Sequence, residues 1–119
     1  MERAAATFIV TMLHSGTVAH LMHLQTKSYA AHVALGDYYD AIVGLTDKYA
    51  EAYQGCYKVI ADYPATFPVA KDPKRYFEGL YDYLDAARKT LPKESHLTNI
   101  VDEIAELIDS TRYKLNNLS

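Results

Sequence analysis

The stretch that decides the fold is residues 29–62, YAAHVALGDYYDAIVGLTDKYAEAYQGCYKVIAD. Leu35, Tyr39, Ile42, Leu45, Tyr49, Tyr53 and Ile60 recur in it at the spacing of one helix face, the period of a bundle seam rather than of a strand. At ~1.5 Å per residue, a helix over 29–62 is roughly 50 Å long. Gly36, Gly44 and Gly55 lie inside it and are the places where it can bend or fray.

Upstream, residues 4–26 contain no Lys, Arg, Asp or Glu. Phe8, Met12, Ala19 and Met22 form a helical stripe, widened by Ile9, Leu13 and Leu24. A run this long could cross a bilayer or serve as a signal peptide. His14, His20 and His23, with Thr7, Thr11, Ser15 and Thr17, suit lipid poorly. The reading adopted is a helix over 2–25, buried on one side by its own bundle and on another by a second subunit. No membrane partner is expected.

Downstream, Pro64, Pro68 and Pro73 interrupt the chain. Asp72 reads as an N-cap with Pro73 at the first helical position, opening a helix over 73–90 that Pro92 ends. Ser95 is the expected cap of a last helix over 95–117, which puts Leu97, Ile100, Val101, Ile104, Leu107, Ile108 and Leu115 on one face. The fold class is therefore all-α, a single four-helix-bundle domain over 1–119. The short break near Lys27 makes the first two helices antiparallel neighbours. The connector over 63–72 can span at most ~33–36 Å. That permits one long crossover, as in ferritin-like bundles, and equally a simple up-down arrangement.

The totals exclude several classes. A net charge of −3 provides no general attraction to nucleic acid. One cysteine, Cys56, precludes an internal disulfide framework and favours a reducing, cytoplasmic compartment. No basic residue except Lys58 lies near Cys56 in sequence, so a catalytic thiol is not expected. The eleven tyrosines read as core and interface aromatics. There is no Gly-rich phosphate loop and no nucleophile elbow.

The residues with metal chemistry lie on the first two helices. His20 and His23 share a face. His23 and His32 flank the turn at similar distances, so a hairpin brings them to one height. Asp47 and Glu51 project together. Imidazoles and carboxylates at such spacings can hold iron, manganese or zinc. His32 and Asp47 are fifteen residues apart, ~22 Å along one straight helix. They cannot share an ion within one chain, but an antiparallel second copy can bring Asp47 and Glu51 opposite His32.

At these residues the chain resembles the Dps-like branch of the ferritin superfamily. His23-Leu-Gln-Thr-Lys-Ser is similar to the His-Trp-Asn stretch that closes that family's first helix. His32, followed 15 and 19 residues later by Asp47 and Glu51, resembles its second-helix motif. The resemblance covers residues 20–55. It implies a homo-oligomer, Fe²⁺ held between two subunits by His23, His32, Asp47 and Glu51, with oxidation and storage or detoxification of iron. Gly36 stands where the family has an Asp, and neighbouring Asp37 is the substitute ligand considered. Leu24 replaces a tryptophan, the turn between the histidines is about three residues shorter, the connector is cut down, and the basic tail is missing. Reduced versions of this kind occur in phages as well as bacteria. The alternative is a non-enzymatic oligomeric binding or structural module that keeps the bundle without the iron chemistry. A MazG-like pyrophosphohydrolase needs two paired acidic motifs on successive helices, and Glu103-Ile-Ala-Glu106 provides one, with too little sequence after it for a second.

Overall fold

The computed structural model describes residues 1–65 and 70–119. Among these there are four helices and no strand: α1 Glu2–Gln25, α2 Tyr29–Cys56, α3 Pro73–Ala87 and α4 Ser95–Asn117. Pro68, expected to help break the connector, lies outside the described residues.

Local chemistry explains most of the boundaries. Between α1 and α2 the chain turns over three residues, and the Ser28 hydroxyl accepts from the Ala31 N–H at 3.2 Å, capping α2. Asp72 accepts from the N–H groups of Lys74 and Arg75, with Pro73 at the first turn, as expected for α3. Three boundaries differ from expectation. First, α2 stops at Cys56, not Asp62, because the Gln54 amide oxygen takes the Ile60 N–H at 3.0 Å and turns Ile60 back into the core. Second, α3 stops at Ala87, not Thr90. The next three residues form a tight turn in which the N–H groups of Lys89 and Thr90 reach back to Ala86 and Ala87. Third, Glu94 rather than Ser95 is the N-cap of α4, and its carboxylate is engaged by the Tyr57 hydroxyl instead of by its own helix.

The packing order is α1 on α2, α2 on α4 and α4 on α3, with only a slight touch between α3 and α1. Side-chain pairs fix the directions. Cys56 at the end of α2 meets His96 at the start of α4, and Asp37 near the start of α2 pairs with Lys114 near the end of α4. Those two helices are antiparallel. Glu78 of α3 is bound by Arg112 of α4, so α3 is antiparallel to α4 and parallel to α2. The chain therefore leaves α2 at one end of the bundle and enters α3 at the other, a single long crossover rather than up-down alternation.

Phe8, Met12, Met22, Leu35, Tyr38, Ile42, Tyr49, Tyr53, Phe77, Leu97, Ile104 and Ile108 fill the core. Gly16 lets α1 and α2 approach closely, since a Cβ there would lie 3.1 Å from Ile42 Cγ2. Tyr38, not Tyr39, takes the core position, anchored by a 2.6 Å hydrogen bond with Ser15. Tyr39 sits at the α1–α2 edge. By length and composition α1 could span a bilayer, yet 56% of its most apolar window is buried inside the bundle.

Candidate functional site

The α1–α2 hairpin does bring His23 and His32 together. Their rings stack with centroids 3.6 Å apart and planes tilted by 21°. Each is tied to the other's backbone: His23 Nδ1–H donates to the His32 carbonyl at 2.7 Å, and His32 Nδ1–H donates to the His23 carbonyl at 2.9 Å. A carbonyl oxygen only accepts, so Nδ1 carries the proton on both rings. In the neutral form the Nε2 lone pairs are left available, the arrangement that suits an imidazole to ligate. The His23 carbonyl is also one of the open acceptors at the C-terminal end of α1, so the His32 ring closes that helix.

Gly36 has a physical reason in this arrangement. A Cβ at that position would sit 3.2 Å from both Cε1 and Nδ1 of His23. The missing side chain is the space into which the ring packs. Tyr39 and His20 extend the cluster, stacked on each other at 4.0 Å, with Tyr39 edge-on to His23 at 5.2 Å.

The stack limits what one chain can chelate. Near-parallel rings with centroids 3.6 Å apart and planes tilted by only 21° have planes that meet well away from either ring, whereas a ligated ion lies in the ring plane about 2.0–2.1 Å from nitrogen. In this arrangement His23 and His32 do not share one ion. Either ring can supply one ligand.

The acidic candidates lie elsewhere. Asp37 faces α4, where its carboxylate is 3.7 Å from Lys114 Nζ, and not the histidines. Asp47 and Glu51 stand together, exposed, further down α2. A hydrogen bond with Asp47, and then its charge, holds the Glu51 carboxyl above its ordinary value of 4.5. Two carboxylates that close together favour a shared proton or a cation. Among the described residues no three His, Cys, Asp or Glu side chains of one chain converge on a point that could hold a metal ion.

One surface carries both sets of residues. Gly36, Asp40, Val43, Asp47 and Glu51 follow one another at helical spacing along the outward stripe of α2, with His32 at its edge toward α1. Beside them, between Arg3 and Gln25, the exposed positions of α1 are Leu13, Thr17, His20, Leu21 and Leu24, with no Lys, Arg, Asp or Glu among them. Leu24 is 68% exposed and Val43 51%.

Sequence reasoning missed a second cluster, at the opposite end of α2. The expectation that Cys56 lacks a basic neighbour does not hold, because His96 Nε2 lies 3.0 Å from its sulfur. Beside it, the bond to Glu94 pushes the Tyr57 hydroxyl up to about 12.

No curated protein and no solved structure matches the chain. A protein-family model does, over residues 23–115, the segment that includes His23, His32, Asp37, Asp47 and Glu51. The chain belongs to that family, a family of unknown function, DUF5856.

Proposed function

We propose that the protein is a homo-oligomeric, ferritin-like iron-binding protein whose Fe²⁺ site forms between two copies. The observation that carries this reading is the placement of complementary half-sites on one outward face. Imidazoles whose Nδ1–H is already bound lie near the start of α2, and the adjoining carboxylates of Asp47 and Glu51 lie fifteen to nineteen residues on. Along one helix the two are ~22–28 Å apart. A second copy, packed antiparallel on this face, brings each imidazole opposite the partner's Asp47 and Glu51. One imidazole and two carboxylates, without thiolate, suit iron better than a structural zinc. The long crossover between α2 and α3 supports the ferritin-like reading of the bundle, and the charge-free exposed stripe of α1 supports a covered face.

Fe²⁺ is the substrate in this reading. The carboxylate pair attracts it, and its charge relieves the repulsion that favours a proton on Glu51. The imidazole supplies a neutral ligand with its tautomer already set. The ion then gives an electron to oxygen or peroxide, and Fe³⁺ passes on to storage. The axis of the pair falls near Asp40, whose two carboxylates face each other there and oppose assembly at low salt.

A second reading, a binding or structural module without iron chemistry, is favoured by the reciprocal stack, because both rings already have a structural task in clasping the hairpin. Anaerobic Fe²⁺ titration of protein purified without added metal separates the two. The iron reading expects up to one ion per chain, abolished in Glu51→Ala and in a His23→Ala/His32→Ala double variant. Wild-type protein that takes up no Fe²⁺ leaves the module reading standing.

A further inference from the structure

Where α2 ends and α4 begins, two oxidisable side chains each meet a proton acceptor. The Tyr57 hydroxyl donates to the Glu94 carboxylate, and Cys56 Sγ lies 3.0 Å from His96 Nε2. Cys56 and Tyr57 are consecutive, and the acceptors are the N-cap residue and the second residue of α4. Tyr57 is also the outer end of a ladder. Tyr49, Tyr53 and Tyr57 follow at four-residue intervals, with ring centroids 6.5 Å and then 5.0 Å apart. At the inner end Tyr49 is fully buried, and its hydroxyl has no hydrogen-bond partner among the described residues.

We propose that Tyr57 and Cys56 form a one-electron oxidation sink, where an oxidising equivalent from a high-potential one-electron oxidant is taken up and discharged at the surface as a disulfide. This role does not depend on the iron reading. When a phenol loses an electron its proton becomes strongly acidic, so the electron leaves most easily where a base already holds the hydroxyl. Tyr57 has such a base in Glu94. Tyr49 has none, and oxidation there leaves an unrelieved positive charge in the core, which is costly. An oxidising equivalent on the ladder therefore moves outward. Exposure alone makes a different choice: Tyr29 is 80% exposed and Tyr113 60%, against 39% for Tyr57. Neither of those two hydroxyls meets a carboxylate or imidazole among the described residues.

The steps balance. The oxidant takes one electron from Tyr57, the phenolic O–H bond breaks, and the proton passes to Glu94, leaving a neutral phenoxyl radical. Cys56 then gives an electron to the phenoxyl while its thiol proton passes to His96, within the usual reach of ~2.6–3.2 Å for such a transfer. Glu94 returns its proton to the phenolate oxygen and Tyr57 is restored. The thiyl radical of exposed Cys56 combines with that of a second molecule in an S–S bond. Two thiols and two equivalents of oxidant give one disulfide, two reduced oxidants and two protons.

The test uses photochemically generated ruthenium(III) tris-bipyridine as the oxidant. Products are read on non-reducing gels and by peptide mass spectrometry. The expected main product of the wild type is a dimer linked through Cys56. Tyr57→Phe and Glu94→Gln, each checked by circular dichroism for intact helix, should lower its yield several-fold. In Cys56→Ser no disulfide-linked dimer forms, and oxidation products, dityrosine included, should collect on Tyr57 several-fold above Tyr29 and Tyr113. Wild-type disulfide yield in Tyr57→Phe would overturn the proposal. So would products in Cys56→Ser that rank by exposure, with Tyr29 and Tyr113 ahead of Tyr57.

Discussion

Replacing Gly36 by alanine tests the packing that organises the hairpin. In an exposed helix interior Gly→Ala stabilises by about 0.8–1.0 kcal/mol, because glycine loses more backbone freedom on folding. At Gly36 the new Cβ would lie 3.2 Å from Cε1 and Nδ1 of His23, so the ring must retreat by a few tenths of an ångström. It has nowhere to go. One face is stacked on His32, Nδ1 is bound to a carbonyl at 2.7 Å, and Tyr39 stands edge-on. Overpacking of this kind costs about 1–3 kcal/mol, and a weakened hydrogen bond adds about 0.5–1.5 kcal/mol. The propensity gain does not offset that, and Gly36→Ala should destabilise by about 1–2 kcal/mol. Gly79, inside α3, is the control, since its Cβ would meet nothing described within 4 Å; Gly79→Ala should stabilise by about 0.5–1 kcal/mol. The decisive comparison is made in a His23→Ala background. There the obstruction is gone, and Gly36→Ala should become stabilising by about 1 kcal/mol, a coupling between the two positions of about 2–3 kcal/mol. Urea unfolding followed by circular dichroism at one fixed protein concentration measures all of these. If Gly36→Ala stabilises the wild type as much as it stabilises His23→Ala, the account of the stack is wrong.

Three further outcomes follow from the outward face and the charge. Light scattering at micromolar concentration should give at least twice the chain mass of 13.4 kDa; Val43→Asp should shift the population toward monomer, and Asp40→Asn should tighten assembly at low salt. Glu51 has a folded-state value above its ordinary one, so its contribution to stability is greatest below that ordinary value and is lost as pH rises through the folded value. Glu51→Gln should remove this part of the pH dependence in acid-range denaturation profiles, and a profile unchanged by the substitution contradicts the coupled pair. Finally, with a net charge of −3, the protein should leave duplex DNA unshifted at about 0.15 M salt, whereas a salt-sensitive gel shift with a sub-micromolar midpoint contradicts the charge argument.

The helices were legible because their apolar residues keep a regular period and because Asp72-Pro73 and Pro92 mark two boundaries plainly. Neighbouring detail was not. Tyr38 and Tyr39 are equally apolar in a pattern, and Tyr38 turns inward, where it meets the Ser15 hydroxyl and the Phe77 ring on facing helices. The end of α2 was misjudged because no proline or glycine follows Gly55 before Pro64; the helix is stopped by the Gln54 side chain reaching Ile60. The short turn made the meeting of His23 and His32 readable. Their stacking was not, because it depends on ring orientation and on the space at Gly36. Cys56 and His96 are forty residues apart, and nothing in spacing predicts their contact.

The central claim is that an iron site takes ligands from two chains, and complementation between inactive variants tests it most directly. Glu51→Ala removes a carboxylate from both sites of a two-fold dimer, and the His23→Ala/His32→Ala variant removes the imidazoles from both. In a mixed dimer one site receives every defect and the other receives none. Random pairing at equal amounts makes half of the dimers mixed, each with one of two sites intact, so about a quarter of wild-type Fe²⁺ oxidation should return from two nearly inactive parents. Helix content by circular dichroism and mixed-dimer content by native mass spectrometry are checked in the same samples. Recovery near a quarter is the predicted result; no recovery in verified mixed dimers contradicts a site shared between subunits.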